Sequence, residues 1–206
     1  MGLISNGTTV FDAGAMSLGG SMTFIKKLTA SSSGTLSFVD GGSSVVLDDT
    51  YKEYIFTFKN IHISGNNENL QFNMSIDSGS NYNVTKTSTF FRALEAESDY
   101  FNGLGYRTGE DLAQSTAFQD IAYGLDIDND ANGNGFLHLF NPSSTTFVKH
   151  FISHFNGSAN DGGSNRYSTT YFGSGYGNTT SAVDAIQFKM SSGNIDAGDI
   201  CLYGVS

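Results

Sequence analysis

Residues 69–77, NLQFNMSID, constrain the fold most: Leu70, Phe72, Met74 and Ile76 alternate with Asn69, Gln71, Asn73, Ser75 and Asp77. A period of two puts one set of side chains on a core and the other toward water, which only a strand does. The segment predicts a half-buried antiparallel strand, with DSGSN at 77–81 as the turn that follows it. The longer run YKEYIFTFKNIHI at 51–63 places Tyr54, Phe56 and Phe58 on one face and Ile55, Ile61 and Ile63 on the other. Both faces are apolar, so this strand is expected to be partly buried on both sides.

Shorter runs repeat the theme. MTFIKKL (22–28), GTLSFV (34–39), and the stretches at 116–125, 136–141, 147–155, 166–173, 182–190 and 199–205 carry apolar or aromatic residues between Gly, Asn and Ser breaks. About ten strands result. Residues 87–100 stay open between helix and strand, because Ala93 to Glu97 favour the one and the preceding Thr and Phe residues the other. Asn-Gly, the strongest short hairpin signal, stands at 6–7, 102–103, 132–133, 134–135 and 156–157. No strand alternates with a clear helix, which removes the parallel α/β folds. No repeat of solenoid or propeller period is present. The expectation is an all-β chain: an antiparallel β-sandwich of jelly-roll type, with a barrel as the alternative. Residues 1–21 show little periodicity and read as an extended anchoring arm, leaving 22–206 as a single domain.

Composition narrows the partners. Ten Lys and Arg against twenty Asp and Glu give a net charge of −10, so a surface that neutralises nucleic-acid phosphates is not expected. Charged residues are 15% of the chain, below the roughly 25% of an average domain, and Ser, Thr, Asn and Gly fill the difference. The lone Cys201 lies in an apolar run and reads as a small buried thiol. No apolar stretch is long enough for a membrane span, and the first residues lack the basic and apolar regions of a secretory signal. Synthesis in a cytoplasm is the expectation.

Candidate sites are sparse. Asp128, Asp130 and Asn132 followed by Gly133 match the first half of a calcium loop, with oxygens at positions 1, 3 and 5 and Gly at 6. Position 12 is Leu139 where a bidentate Glu is required, so an acidic hairpin loop is the favoured reading and calcium the weak alternative. His150 and His154 have helical metal-pair spacing, but FVKHFISHF alternates as a strand, which separates them by about 13 Å. Gly173-Ser-Gly175-Tyr-Gly177 lacks phosphate-loop spacing and reads as a loop. No nucleophile elbow or metalloprotease motif is present, and no catalytic residue is assigned. The regions 98–110 and 156–178, read as loops, offer Tyr100, Tyr106, Tyr171 and Tyr176 for stacking on sugar rings.

Three passages carry a resemblance: GLISNGTTVFDAGAMSLGGSMTFIKKLTASSSGTLSFVD at the start, LHLFNPSSTTFVKHF at 137–151, and SAVDAIQFKMSSGNIDAGDICLYGVS at 181–206. Together they resemble a group of virion structural proteins of tailed bacteriophages, especially those of marine cyanobacteria. The M-S-S-G-N-I-x-x-G-x-I-x-L-Y-G pattern at 190–204 is the most distinctive part. The resemblance implies a non-enzymatic particle component, in tail, fibre or capsid-surface position, made in the host bacterial cytoplasm and resident in the virion. Its partners would be other virion proteins and copies of itself, a homotrimer being favoured, with host-surface glycan as a further contact. A capsid decoration protein or a stand-alone carbohydrate-binding module are the alternatives.

Overall fold

The structure, a computed structural model, describes residues 3–5, 8–12, 15–16, 21–160 and 165–206. These residues contain antiparallel strands and no helix. Strands β1 (Leu3–Ser5), β2 (Thr8–Asp12) and β3 (Ala15–Met16) make a small sheet of their own. The expected arm thus contains short paired strands; its attachment to another chain, and the Asn-Gly at 6–7, lie outside the described residues.

Twelve strands form the second sheet: β4 (Met22–Thr29), β5 (Thr35–Val39), β6 (Glu53–Ile63), β7 (Glu68–Ser75), β8 (Lys86–Ala96), β9 (Asn102–Tyr106), β10 (Gln119–Leu125), β11 (Gly133–Phe140), β12 (Lys149–Asn160), β13 (Arg166–Gly177), β14 (Ala185–Met190) and β15 (Ile195–Val205). The order is β4-β15-β6-β11-β12-β10-β7-β14-β5, and β13, β8 and β9 continue outward from β12. The sheet curls back on itself and nearly closes into a barrel. One wall is β4-β15-β6-β11-β12-β13-β8-β9; β10 meets β12 only at Leu125 and Ala159 and leads into the opposite wall, β10-β7-β14-β5. Aromatic rings join the walls. Phe188 packs 5.4 Å from Phe56 and 5.3 Å from Phe58, and Phe72 lies 5.0 Å from Phe151. Each buried Phe of this kind contributes about 1.5–3 kcal/mol by leaving water.

The strand readings at 22–39, 51–63 and from 116 onward hold, but pairing changes several details. Residues 87–100, open in the sequence, hold β8: tertiary pairing with β13 over eleven residues outweighs the helical preference of Ala93 to Glu97. On β6, Ile61 and Ile63 are buried with Tyr54, Phe56 and Phe58 rather than opposite them. The cause is a bulge: Asn60 has φ +51° and the pairing register shifts on both flanks of β6, which inverts the inward phase. Gly198 faces it at φ +113°, where a Cβ would stand 2.6 Å from the Asn60 carbonyl oxygen.

On β7 the outer residues Asn73 and Ser75 are also fully buried, so this strand is covered on both sides rather than half-exposed. The consecutive strands β14 and β15 do not form a hairpin with each other. β14 pairs with β5 and β7, whereas β15 pairs with β4 and β6, so residues 191–194 cross from one wall to the other. Three Asn-Gly pairs are not turns either: 102–103 lies in β9, 134–135 in β11 and 156–157 in β12. Those in β11 make room for an aromatic ring, since a Cβ on Gly133 would lie 2.2 Å from the Phe155 ring. Packing, not turn formation, selects glycine there. Gly173 to Gly177, read as a loop, completes β13. Cys201 is a free, buried thiol, as its apolar run suggests.

Candidate functional site

The strand period gives the first wall an outer face as well as an inner one, and its composition is unusual for a surface. Register places Tyr106, Phe91, Phe172, His154 and Phe136 side by side across β9, β8, β13, β12 and β11. Three of these rings form a parallel stack: Phe91 to Phe172 is 4.8 Å at 13°, and Phe172 to His154 is 4.4 Å at 10°. Phe136 closes the row edge-on to His154 at 5.5 Å. A second row runs Phe24, Tyr203, Ile55, His138, Ile152, with Phe24 edge-on to Tyr203 at 5.6 Å.

Exposure confirms that these side chains face outward: Phe24 is 56% accessible, Ile152 49% and Phe91 39%. Three of the four histidines stand here, and a carboxylate beside the second row, Glu53, is bonded to His138 Nδ1. Lys27 and Asp199 pair at 3.1 Å along the β4 margin. Between the rows and the end of the wall, Phe140, His150, Ile152 and Tyr176 with Thr87, Thr89 and Ser174 line an open cleft of about 520 Å³. The His150 and Tyr176 rings in its lining lie 5.8 Å apart, centroid to centroid. The cleft offers apolar ring faces, the hydroxyls of Thr87, Thr89, Ser174 and Tyr176, and the His150 imidazole.

The four tyrosines read from the sequence separate. Tyr176 is half-buried in the cleft. Tyr106 is exposed on β9, and its hydroxyl donates to Asp111 Oδ2 at 2.6 Å, which raises its pKa. Tyr100 is exposed beyond the end of β8 and shares a hydrogen bond with Tyr167. Tyr171 is a correction: it is fully buried, packs 6.1 Å from Phe90, and donates its hydroxyl to the Tyr123 carbonyl. Burial pushes its pKa up, and no external ligand reaches it. The alternation of β13 turns Tyr171 inward and its neighbour Phe172 outward.

Of the three calcium candidates, Asp128 and Asn132 are bonded within the chain and Asp130 is exposed. Asp128 Oδ2 accepts from Arg166 Nε at 2.8 Å, a bond that lowers its pKa. Asn132 Oδ1 accepts from Asn134 Nδ2 at 2.8 Å, and Asp126 Oδ1 accepts from Asn160 Nδ2 at 2.8 Å. Among the described residues, no three of His, Cys, Asp and Glu gather as a metal-holding group. His150 and His154 lie on β12, as the alternation predicted, two positions apart on one face.

Sequence reasoning missed Phe136, His138 and Phe172. The signal was present in GFLHLF and FISHF, where both alternating sets are apolar or aromatic, although an antiparallel wall needs only one apolar side. No family model, curated protein or solved structure matches the chain.

Proposed function

We propose that this chain is a non-enzymatic structural component of a tailed-bacteriophage particle, tail- or fibre-associated, whose outer aromatic face packs against other virion proteins. In this reading the two walls form a sandwich of the jelly-roll type. The observation that carries the proposal is the outer face itself. A contiguous aromatic surface of this kind on a low-charge body marks an interaction site. The resemblance of the three sequence passages supplies the kind of partner, and virion assembly supplies the reason for a surface that is covered only in the particle. The component is made in the bacterial cytoplasm, resides in the virion and forms homo-oligomers, a trimer being the favoured unit. No cofactor is assigned to it.

Host-surface glycan is a second contact in this reading, favoured by the open cleft with Tyr176 and by exposed Tyr106 and Tyr100. Sugar rings stack on aromatic faces while their hydroxyls meet Thr, Ser and His side chains. The alternatives are a capsid decoration protein or a stand-alone carbohydrate-binding module.

Immunogold imaging and mass spectrometry of density-purified particles test the proposal. Label at the tail or fibres in a fixed ratio to the other particle proteins is the expected result. Uniform label over the head assigns capsid decoration instead, and absence of the chain from purified particles overturns the proposal.

A further inference from the structure

Strand β9 ends the first wall, and its outer edge has no partner among the described residues. The hydrogen-bond phase of that edge follows from its two ends. Phe101 O accepts from Ala96 N, and Arg107 N donates to Phe90 O. With a period of two, the odd-numbered residues of this stretch turn their backbone groups toward β8. Asn102, Leu104 and Tyr106 therefore turn three N–H and three C=O groups away from it. Their side chains lie on the aromatic face, with Leu104 76% exposed and Tyr106 in register with Phe91.

Natural edge strands are blunted by charge, proline or a bulge. Strand β4, at the other end of this wall, carries Lys26 and Lys27 and a register irregularity. Strand β9, NGLGY, carries neither charge nor proline.

We propose that β9 is a self-association edge: it pairs antiparallel with β9 of a second copy about a two-fold axis near Leu104, continuing the wall from one chain into the other. Three observations select a second copy as the occupant. Equal numbers of donors and acceptors on an antiparallel edge are self-complementary, as a two-fold contact requires. Gly103 and Gly105 flank Leu104, so the pairing sets small residues against small ones on one face and leucine against leucine on the other. Asp99 precedes the strand and Arg107 follows it, so antiparallel pairing brings the carboxylate of each chain toward the guanidinium of the other, which already holds Glu110 and lies 4.9 Å over the Tyr123 ring. In a protein of net charge −10, two copies meet most readily along an uncharged strand with opposite charges at its ends. The contact is independent of the particle assignment. Its smallest product is a dimer, and combined with three-fold symmetry it gives a hexamer.

Residue 104 decides the matter, because only a two-fold contact sets it against itself. Leu104→Cys should form a disulfide-linked dimer under mild oxidation far faster than Thr145→Cys, an exposed control; the native Cys201 is buried. Leu104→Pro removes an outward N–H and no bond to β8, so it should fold normally yet halve the solution mass measured by light scattering at micromolar concentration. An unchanged circular dichroism spectrum keeps loss of fold separate from loss of contact. A wild-type monomer or trimer whose mass is indifferent to Leu104→Pro overturns the proposal, as does cross-linking at 104 no faster than at 145.

Discussion

The two outer faces of the barrel come from the same strand period and have opposite chemistry. Outside β10-β7-β14-β5, Asn69 Nδ2 and Gln71 Nε2 donate to the Asp120 carboxylate at 2.9 and 2.7 Å, and Gln187 Nε2 donates to Ser37 Oγ at 3.0 Å. Lys189 sits 4.5 Å over the Phe118 ring. Deeper on the same face, Asn73 donates to the carbonyls of Tyr82 and Thr116 and accepts from Lys86 Nζ at 2.5 Å. This face is completed by the chain's own loops. Outside β6-β11-β12-β13-β8, rings stack on rings and nothing in the chain covers them among the described residues. Polar groups need specific partners and find them locally, whereas apolar groups need only exclusion from water, which another surface supplies equally well. The difference separates a face completed within the chain from a face left open to an outside surface.

The largest effect expected is on the polar face. Asn73→Ala leaves buried Lys86 with only the Val84 carbonyl and takes a donor from two loop carbonyls, and should lower unfolding free energy by about 2–4 kcal/mol. Urea denaturation of the variant checks this; a loss as small as that of a surface substitution would mean that the loops are held by other contacts.

A pH dependence confined to the polar face comes next. Burial raises Asp120 to about 6 and lowers Lys86 to about 7. Asp120 holds a proton in the folded chain that the unfolded chain has released, so stability is lost as pH rises from about 4 to 6. Lys86 is the reverse case: its folded form sheds a proton that the unfolded chain keeps, so its contribution is present above about pH 10 and lost as pH falls toward 7. Together they place a shallow stability minimum near neutrality, on the order of 1–3 kcal/mol deep. Asp120→Asn should flatten the acid side and Lys86→Met the alkaline side in melting scans from pH 4 to 10. A minimum that persists in the double variant would assign it to other groups.

The smallest effect on stability, and the sharpest contrast, belongs to the aromatic face. Phe172→Thr keeps a good strand former at this position and should change unfolding free energy by less than about 1 kcal/mol. The same variant should reduce binding of a hydrophobic-surface dye and weaken attachment to partner proteins. A stability loss comparable to that of Asn73→Ala would show that the stack serves the fold, and the contrast between the faces would collapse.

Part of this arrangement was legible in the residues. Leu70, Phe72 and Met74 on β7, and Ile186, Phe188 and Met190 on β14, point inward as their alternation requires, whereas Ile76, the fourth of the β7 set, lies past the strand's end and is exposed. The strand character of FVKHFISHF correctly ruled out a helical histidine pair. Other readings failed for reasons of context. Asn-Gly signals a turn only where the chain reverses, and at 134–135 and 156–157 the glycines permit close packing instead, since a Cβ would meet the His154 carbonyl oxygen at 2.3 Å and Leu125 at 3.0 Å, respectively. Tyr171 and Tyr176 look alike in a Gly- and Tyr-rich stretch, yet one is inside and the other lines the cleft.

The sequence by itself determined that the chain is made of strands, and which residues on most strands share a face, because a period of two is a local property of the backbone. Only the tertiary structure decided which strands are neighbours, since pairing partners lie far apart in the chain and local residues do not encode them. β14 and β15 are consecutive yet stand on opposite walls, and one bulge at Asn60 reverses the phase of β6 and returns Ile61 and Ile63 to the core. Where both faces of a strand are apolar, alternation names two faces without saying which is covered. That choice fell to the curl of the sheet, which closed one face into the core and left Phe91, Phe172, His154 and Phe136 outside.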